Sequence, residues 1–143
     1  MAVESSADAT WQGELAGGSG TVRVASGAFP EQTLTWRARA ESRESGTSPE
    51  ELIAAAHAGC FAMALSFGLG QAGHPPERLD TSARVSFQAG EGITGIHLTV
   101  RGRVPGLDEE GFRAAAEGAK ANCPVSKALA GVPSITLDAA LAD

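Results

Sequence analysis

The chain has 143 residues, of which 43% are hydrophobic, enough for one domain with a real core. Its 11 Lys and Arg stand against 17 Asp and Glu for a formal net charge of -6, and the basic residues are scattered. No basic stripe can hold a phosphate backbone, which excludes nucleic acid as a partner.

The N-terminus, MAVESSADATW, is acidic and polar where a signal peptide has a basic start and an apolar run. No window of about 18 apolar residues stands out, so a cytoplasmic protein without membrane association is expected. TWQGEL and TVRVAS flank AGGSG, a glycine turn, and QTLTWRARA continues their alternation, which predicts three antiparallel strands. Next comes EELIAAAHAGCFAMALSFGLGQAG. Ser48 and Glu51 have the spacing of a capping box and Pro49 suits the first helical position, so a long helix starts here. Only His57, Ser66 and Gln71 interrupt its apolar surface, and a helix apolar all round is expected to be buried. Small residues at 54, 55, 56, 58 and 59 permit close approach of another backbone, including that of a second copy across a dimer axis.

HPP stops the helix, and TSARVSFQAG with ITGIHLTVRGRV predicts a second hairpin. DEEGFRAAAEGAKAN has an Asp cap and an acidic first turn, the start of a second helix. A short CPVSKALAG segment and a strand, SITLDAALA, close the chain. With no repeat, low-complexity tract or linker, residues 1–143 read as a single domain. Strands grouped between helices, without regular βαβ alternation, give an α+β fold.

The chain has two cysteines, Cys60 in the long helix and Cys123 in NCPVSKAL. In a reducing compartment they are free core residues or a redox pair, and composition alone favours core residues. Burial raises a thiol pKa above its free value of about 8.5, and a position in the middle of a helix gains little from the dipole. A nucleophile at Cys60 therefore needs a cation. His57 is a poor cation in an apolar site, whereas Arg37 or Arg39, held by Glu50 or Glu51, would serve better. His57 itself reads as a core or interface residue, since no acyl-transfer motif supports a Cys-His hydrolase. A zinc half-site at His57 and Cys60 lacks further ligands, because His74 and His97 fall in a loop and a strand without ligand spacing. Glu51 caps the helix, and Glu50 taken alone is an acid in its first turn.

The segments GTSPEELIAAAHAGCFAMAL and CPVSKAL resemble the OsmC/Ohr family of thiol-dependent peroxidases, and the match is closest to the OsmC branch. The likeness extends from TWQGEL through WRAR to ITLD, almost the whole chain. It implies that a first cysteine attacks a peroxide and a second resolves the product as a disulfide, assisted by an arginine and a glutamate. Carried over by position, these are Cys60, Cys123, Arg39 and Glu50. Glu50 follows from its place in SPEEL. Arg39 follows from aligning the loop ESRESG, which is a residue longer than the usual pattern, and Arg37 stands as its rival. The resemblance further implies an OsmC-like intertwined homodimer with antiparallel sheets around a long buried central helix and pockets at the subunit interface. It implies a hydroperoxide substrate, a dithiol reductant of lipoyl or other type, and no metal or organic cofactor.

Phe61, Met63, Leu65 and Phe67 offer apolar walls that suit alkyl or lipid-derived hydroperoxides at least as well as hydrogen peroxide. A different class of function is an OsmC-like binding or carrier module that uses the pocket without turnover. Helix geometry sets one more constraint, because Glu50 and Cys60 are separated by about 15 Å of rise and about 80° of rotation. Glu50 then reaches the cysteine through an extended Arg39, or from a second subunit with its helix antiparallel.

Overall fold

The computed structural model describes residues 1–41 and 46–142, so 42–45 of the ESRESG loop lie outside the described residues. The chain divides into two compact units, Met1–Leu52 and Ile53–Asp143.

In the first unit β1 (Ala7–Gln12), β2 (Ser19–Val24) and β3 (Gln32–Leu34) form an antiparallel sheet in that order. Ala7 pairs with Val24 and Gln12 with Ser19 across the glycine turn, and Gly20 pairs with Leu34. The third strand is shorter than its sequence alternation predicts. Thr35 accepts the Ala38 N–H on its hydroxyl at 3.0 Å, and this N-cap turns Trp36–Ala40 into a short helix, α1. Arg37 and Arg39 therefore do not share a strand face. Two positions apart on a helix they diverge by about 200°, which leaves Arg37 exposed and Arg39 half-buried.

Thr47 donates its N–H to the Thr33 carbonyl at 2.9 Å and leads into α2 (Pro49–Gln71). Ser48 caps this helix as predicted, its hydroxyl accepting the Glu51 N–H at 3.1 Å. The Glu51 carboxylate accepts the Thr47 hydroxyl at 2.7 Å and fixes the entry to the helix.

In the second unit β4 (Arg78–Gln88) and β5 (Gly92–Arg103) form the predicted hairpin, from Arg78 opposite Arg103 to Gln88 opposite Gly92. The last strand, β6 (Ile135–Leu141), runs parallel to β5 with Ile96 opposite Ile135. This sheet is mixed where an antiparallel one was expected, because β6 is reached by a crossover through α3 (Glu109–Asn122) and α4 (Pro124–Ala128). Asp108 caps α3 by accepting the Gly111 N–H at 2.8 Å. Phe112, Ala116 and Ala119 then form its buried stripe.

The α2 helix joins the core through Phe61, Leu65 and Leu69 at four-residue spacing, in one apolar cluster with Ile96, Leu98, Val100 and Phe112. Thr81 of β4 ties it further by donating to the Ala58 carbonyl at 3.0 Å. Its burial is one-sided, contrary to the expectation from its apolar surface. Met63 and Phe67 are 75% and 70% exposed. By length and composition α2 is also long and apolar enough to cross a membrane, a window that inspection of the sequence passes over because Ala and Gly supply much of it. A core helix with one packed face meets the same test.

Gly102 on β5 is set by a close approach. A Cβ there would stand 2.6 Å from two ring carbons of Phe112 and 3.1 Å from Leu79. Both neighbours belong to the core, so the contact cannot be relieved cheaply. Gly102→Ala is expected to destabilise the protein by about 1–3 kcal/mol through overpacking. Urea denaturation checks this, and an unchanged midpoint would contradict the packing described.

Candidate active site

Cys60 lies mid-helix on α2 beside the buried stripe, whereas Cys123 is at once the C-cap of α3 and the N-cap of α4. Pro124 makes that junction possible, since the first position of a helix needs no N–H. The chain turns there while Cys123 stays tied to both helices, donating its N–H to Ala119 at 2.8 Å and accepting that of Lys127 at 3.0 Å. The two sulfurs, 63 residues apart in sequence, stand 3.1 Å from each other. Both are free thiols, Cys123 buried and Cys60 half-buried. Cys60 opens onto an apolar groove of about 930 Å³ lined by Gly59, Met63, Phe67, Ala119 and Pro124 among others.

The two sulfurs differ as acids. Burial pushes the Cys60 thiol up, the neighbouring Cys123 adds to this, and the Val125 backbone N–H opposes them. Burial acts in the same upward direction on Cys123, but the Cys60 thiol, the Ser126 N–H and hydroxyl and the Val125 N–H outweigh it and bring Cys123 down. Among the described residues no cation contributes to either shift.

Sequence reasoning passed over Ser126. It is buried, as is His57, and its hydroxyl lies 2.7 Å from His57 Nε2. The signal is the CPVS spacing, which puts a hydroxyl one helical turn beyond the cysteine. His57 is a core residue, as the sequence suggested, and burial lowers its pKa.

Within the first unit, Arg39 and Glu50 meet. Arg39 Nε donates to both carboxylate oxygens at 3.0 and 3.3 Å, and Nη2 donates to Oε2 at 3.0 Å. This fork-to-fork pairing is the geometry that guanidinium and carboxylate planes favour. The Glu50 side chain is only 6% exposed, and Arg39 pairs with it there. The four residues named from the sequence thus form two pairs, Cys60 with Cys123 in one unit and Arg39 with Glu50 in the other. The Glu51 carboxylate holds the Thr47 hydroxyl and leaves the cap itself to Ser48, and Arg37 is exposed. His97 bonds to Thr136 across the β5–β6 pair at 2.6 Å. Among the described residues no three His, Cys, Asp or Glu side chains are grouped to hold a metal ion.

A family model described as OsmC-like protein matches residues 42–138. The chain belongs to the OsmC family. It is 45% identical over 141 residues to the peroxiredoxin OsmC of Escherichia coli (strain K12), covering 96% of each chain. It is 33% identical over 106 residues to the organic hydroperoxide resistance protein OhrA of Bacillus subtilis (strain 168), covering 71% of this chain and 73% of that one. The crystal structure of an OsmC like protein from Mycoplasma pneumoniae matches over the full length of both chains with a TM-score of 0.74 at 18% identity. That likeness speaks for the α+β fold of the family.

The contrast between the two arginines is measurable. Arg39→Ala strips a nearly buried carboxylate of its charged donor and is expected to cost about 1–3 kcal/mol. Arg37→Ala, at an exposed position, should stay within about 0.5 kcal/mol of wild type. Denaturant midpoints compare them, and equal losses would contradict the assignment of the ion pair to Arg39.

Proposed function

We propose that this OsmC-family protein is a thiol-dependent peroxidase that reduces organic hydroperoxides, and hydrogen peroxide as well, through Cys60 and Cys123. The observation that carries this reading is the contact of two free thiols at 3.1 Å. They lie beside an apolar groove that fits an alkyl tail. Its relatives in Escherichia coli and Bacillus subtilis are named a peroxiredoxin and an organic hydroperoxide resistance protein. A binding or carrier module would use the groove but has no use for two sulfurs in contact.

In the reaction proposed, the Cys60 thiolate attacks the distal peroxide oxygen. The O–O bond breaks, the alkoxide leaves and takes a proton, and Cys60 becomes a sulfenic acid. Cys123 then attacks that sulfur, an S–S bond replaces the S–OH bond, and water is released. A dithiol, lipoyl-type or other, returns the disulfide to two thiols by exchange.

The first step needs help, because burial and the second thiol push the Cys60 pKa up. We assign that help to Arg39, aligned by Glu50, which would favour the thiolate and stabilise charge developing on the peroxide oxygens. Since α2 is one continuous helix, the rise of about 15 Å between positions 50 and 60 speaks for delivery of the pair across a homodimer. The exposed small and apolar residues Ala55, Ala56, Gly59, Met63 and Phe67 suit such an interface, since packing two copies together would cover them. Residues 1–143 would then act as one functional domain, and a cytoplasmic location suits a reduced thiol pair.

Cys60→Ser is expected to abolish peroxide consumption, because a hydroxyl of nearly the same shape is far less nucleophilic. Cys123→Ser should react once and then accumulate sulfinic acid at Cys60 under excess peroxide. Consumption assays and mass spectrometry of the treated variants check both. Turnover near wild type in Cys60→Ser, or added oxygen at Met63 in place of Cys60, would sink the mechanism.

A further inference from the structure

The proposed reaction leaves one buried polar contact unused. His57 on α2 and Ser126 on α4 are both buried, and His57 Nε2 lies 2.7 Å from the Ser126 hydroxyl. Such a pair adds little to stability, because two apolar groups of similar shape in its place would leave no polar atom to desolvate. What a hydrogen bond supplies and apolar packing does not is direction, since it is satisfied in one rotation and register of the two helices.

The places of the two residues in the chain show what that direction serves. His57 stands three residues before Cys60 on α2, one turn away on the same side of the helix. Ser126 stands three residues after Cys123, one turn into the helix that Cys123 begins. The sulfur–sulfur contact at 3.1 Å and the imidazole–hydroxyl contact at 2.7 Å are therefore two crossbars between α2 and the start of α4. A single crossbar is a pivot, whereas two fix both the angle and the register of α4 on α2. Apolar packing does not do this alone. Within α4 the buried residue is Ser126 itself, while Val125 is half-buried and Pro124, Lys127 and Ala128 are exposed.

We propose that His57 and Ser126 are positioning residues for disulfide formation, their hydrogen bond docking α4 on α2 so that the Cys123 sulfur is kept against Cys60. This role rests on the peroxidase reading. In the step the Cys123 sulfur bonds to the sulfenic sulfur of Cys60, the S–O bond breaks, and the thiol proton leaves with the hydroxyl as water. The rival reaction is with a second hydroperoxide, which gives its oxygen to the sulfenic acid and leaves a sulfinic acid and an alcohol. The resolving thiol outruns that rival by being held in place, and a displacement on the order of 1 Å slows such an intramolecular step about a hundredfold.

The test follows one equivalent of an alkyl hydroperoxide through the reduced full-length protein by rapid quench. In Ser126→Ala, sulfenic acid should form at the wild-type rate, while disulfide formation should slow about tenfold or more. Excess hydroperoxide should then trap sulfinic acid at Cys60. The slowing should be the same at neutral pH and at a pH that ionises the thiol, which separates displacement of Cys123 from a change in its acidity. His57→Leu should slow the step to the same degree and the double variant no further, since either change removes the same hydrogen bond. His57→Gln, whose amide nitrogen stands near the Nε2 position, should restore most of the rate, which a packing role for the ring would not explain. Titration in a glutathione redox buffer, without peroxide, should show the effective concentration of the two thiols lowered about tenfold in Ser126→Ala.

Disulfide formation at the wild-type rate in Ser126→Ala overturns the inference, as does slowing that vanishes at raised pH or is equal in His57→Gln and His57→Leu. Should the His57 variants fail to fold, Ser126→Ala, which removes a single oxygen, decides through its rate and its pH dependence. Absence of any sulfenic acid in the wild type would overturn the peroxidase reading instead. The glutathione titration then decides the docking role, and an unchanged effective concentration in Ser126→Ala overturns it.

Discussion

The contact of two sulfurs depends on how two helices are rotated against one sheet. On α2 the stripe of Phe61, Leu65 and Leu69 is held in the core, and this sets Cys60 at the margin between the packed face and the open one. On α3 the buried positions Phe112, Ala116 and Ala119 continue by helical spacing to Cys123, the residue at which the helix ends. A slip of one residue in either helix would turn its sulfur by about 100° and separate the pair. The same apolar packing that stabilises the second unit therefore brings the thiols together. Gly102 gives Phe112 the room this packing requires.

Two unlike sulfurs result from that geometry. Cys60 faces the groove but is pushed up by burial and by its neighbour, whereas Cys123 is buried yet brought down by the Cys60 thiol, the Ser126 and Val125 N–H groups and the Ser126 hydroxyl. In the proposed reaction the accessible sulfur attacks first and needs an external cation. The inaccessible one attacks second and is prepared from within its own unit. Arg39 and Glu50 form their pair within the first unit, and in the proposed reaction such a pair would present its cation already aligned.

Much of this was legible in the residues. Ser48 and Pro49 marked the start of α2, Asp108 marked that of α3, and the hairpin of β4 and β5 followed from alternation bounded by glycine. Other features were hidden for physical reasons. TWRARA alternates like a strand, and a five-residue helix is too short to show its own period, so only the Thr35 hydroxyl on the Ala38 N–H reveals the turn. Alternation records that SITLDAALA is a strand but not its direction, which the crossover through α3 and α4 decides. The Ala and Gly positions of α2 look alike on every side, so no pattern told the packed face from the exposed one bearing Met63 and Phe67. Ser126 gains meaning only when the fold brings its hydroxyl to His57, 69 residues away in sequence. The pairing of the cysteines, by contrast, came from the resemblance of their flanking motifs and not from composition.

The most direct measurement follows both thiols of the reduced protein as one equivalent of an alkyl hydroperoxide is added without other oxidant, and then maps the product by peptide mass spectrometry. The proposed reaction predicts that one peroxide removes two thiols per chain, that a Cys60–Cys123 link forms within a single chain, and that a dithiol restores both. Thiols that survive the peroxide, or a disulfide joining Cys60 of one chain to Cys60 of another, would contradict it.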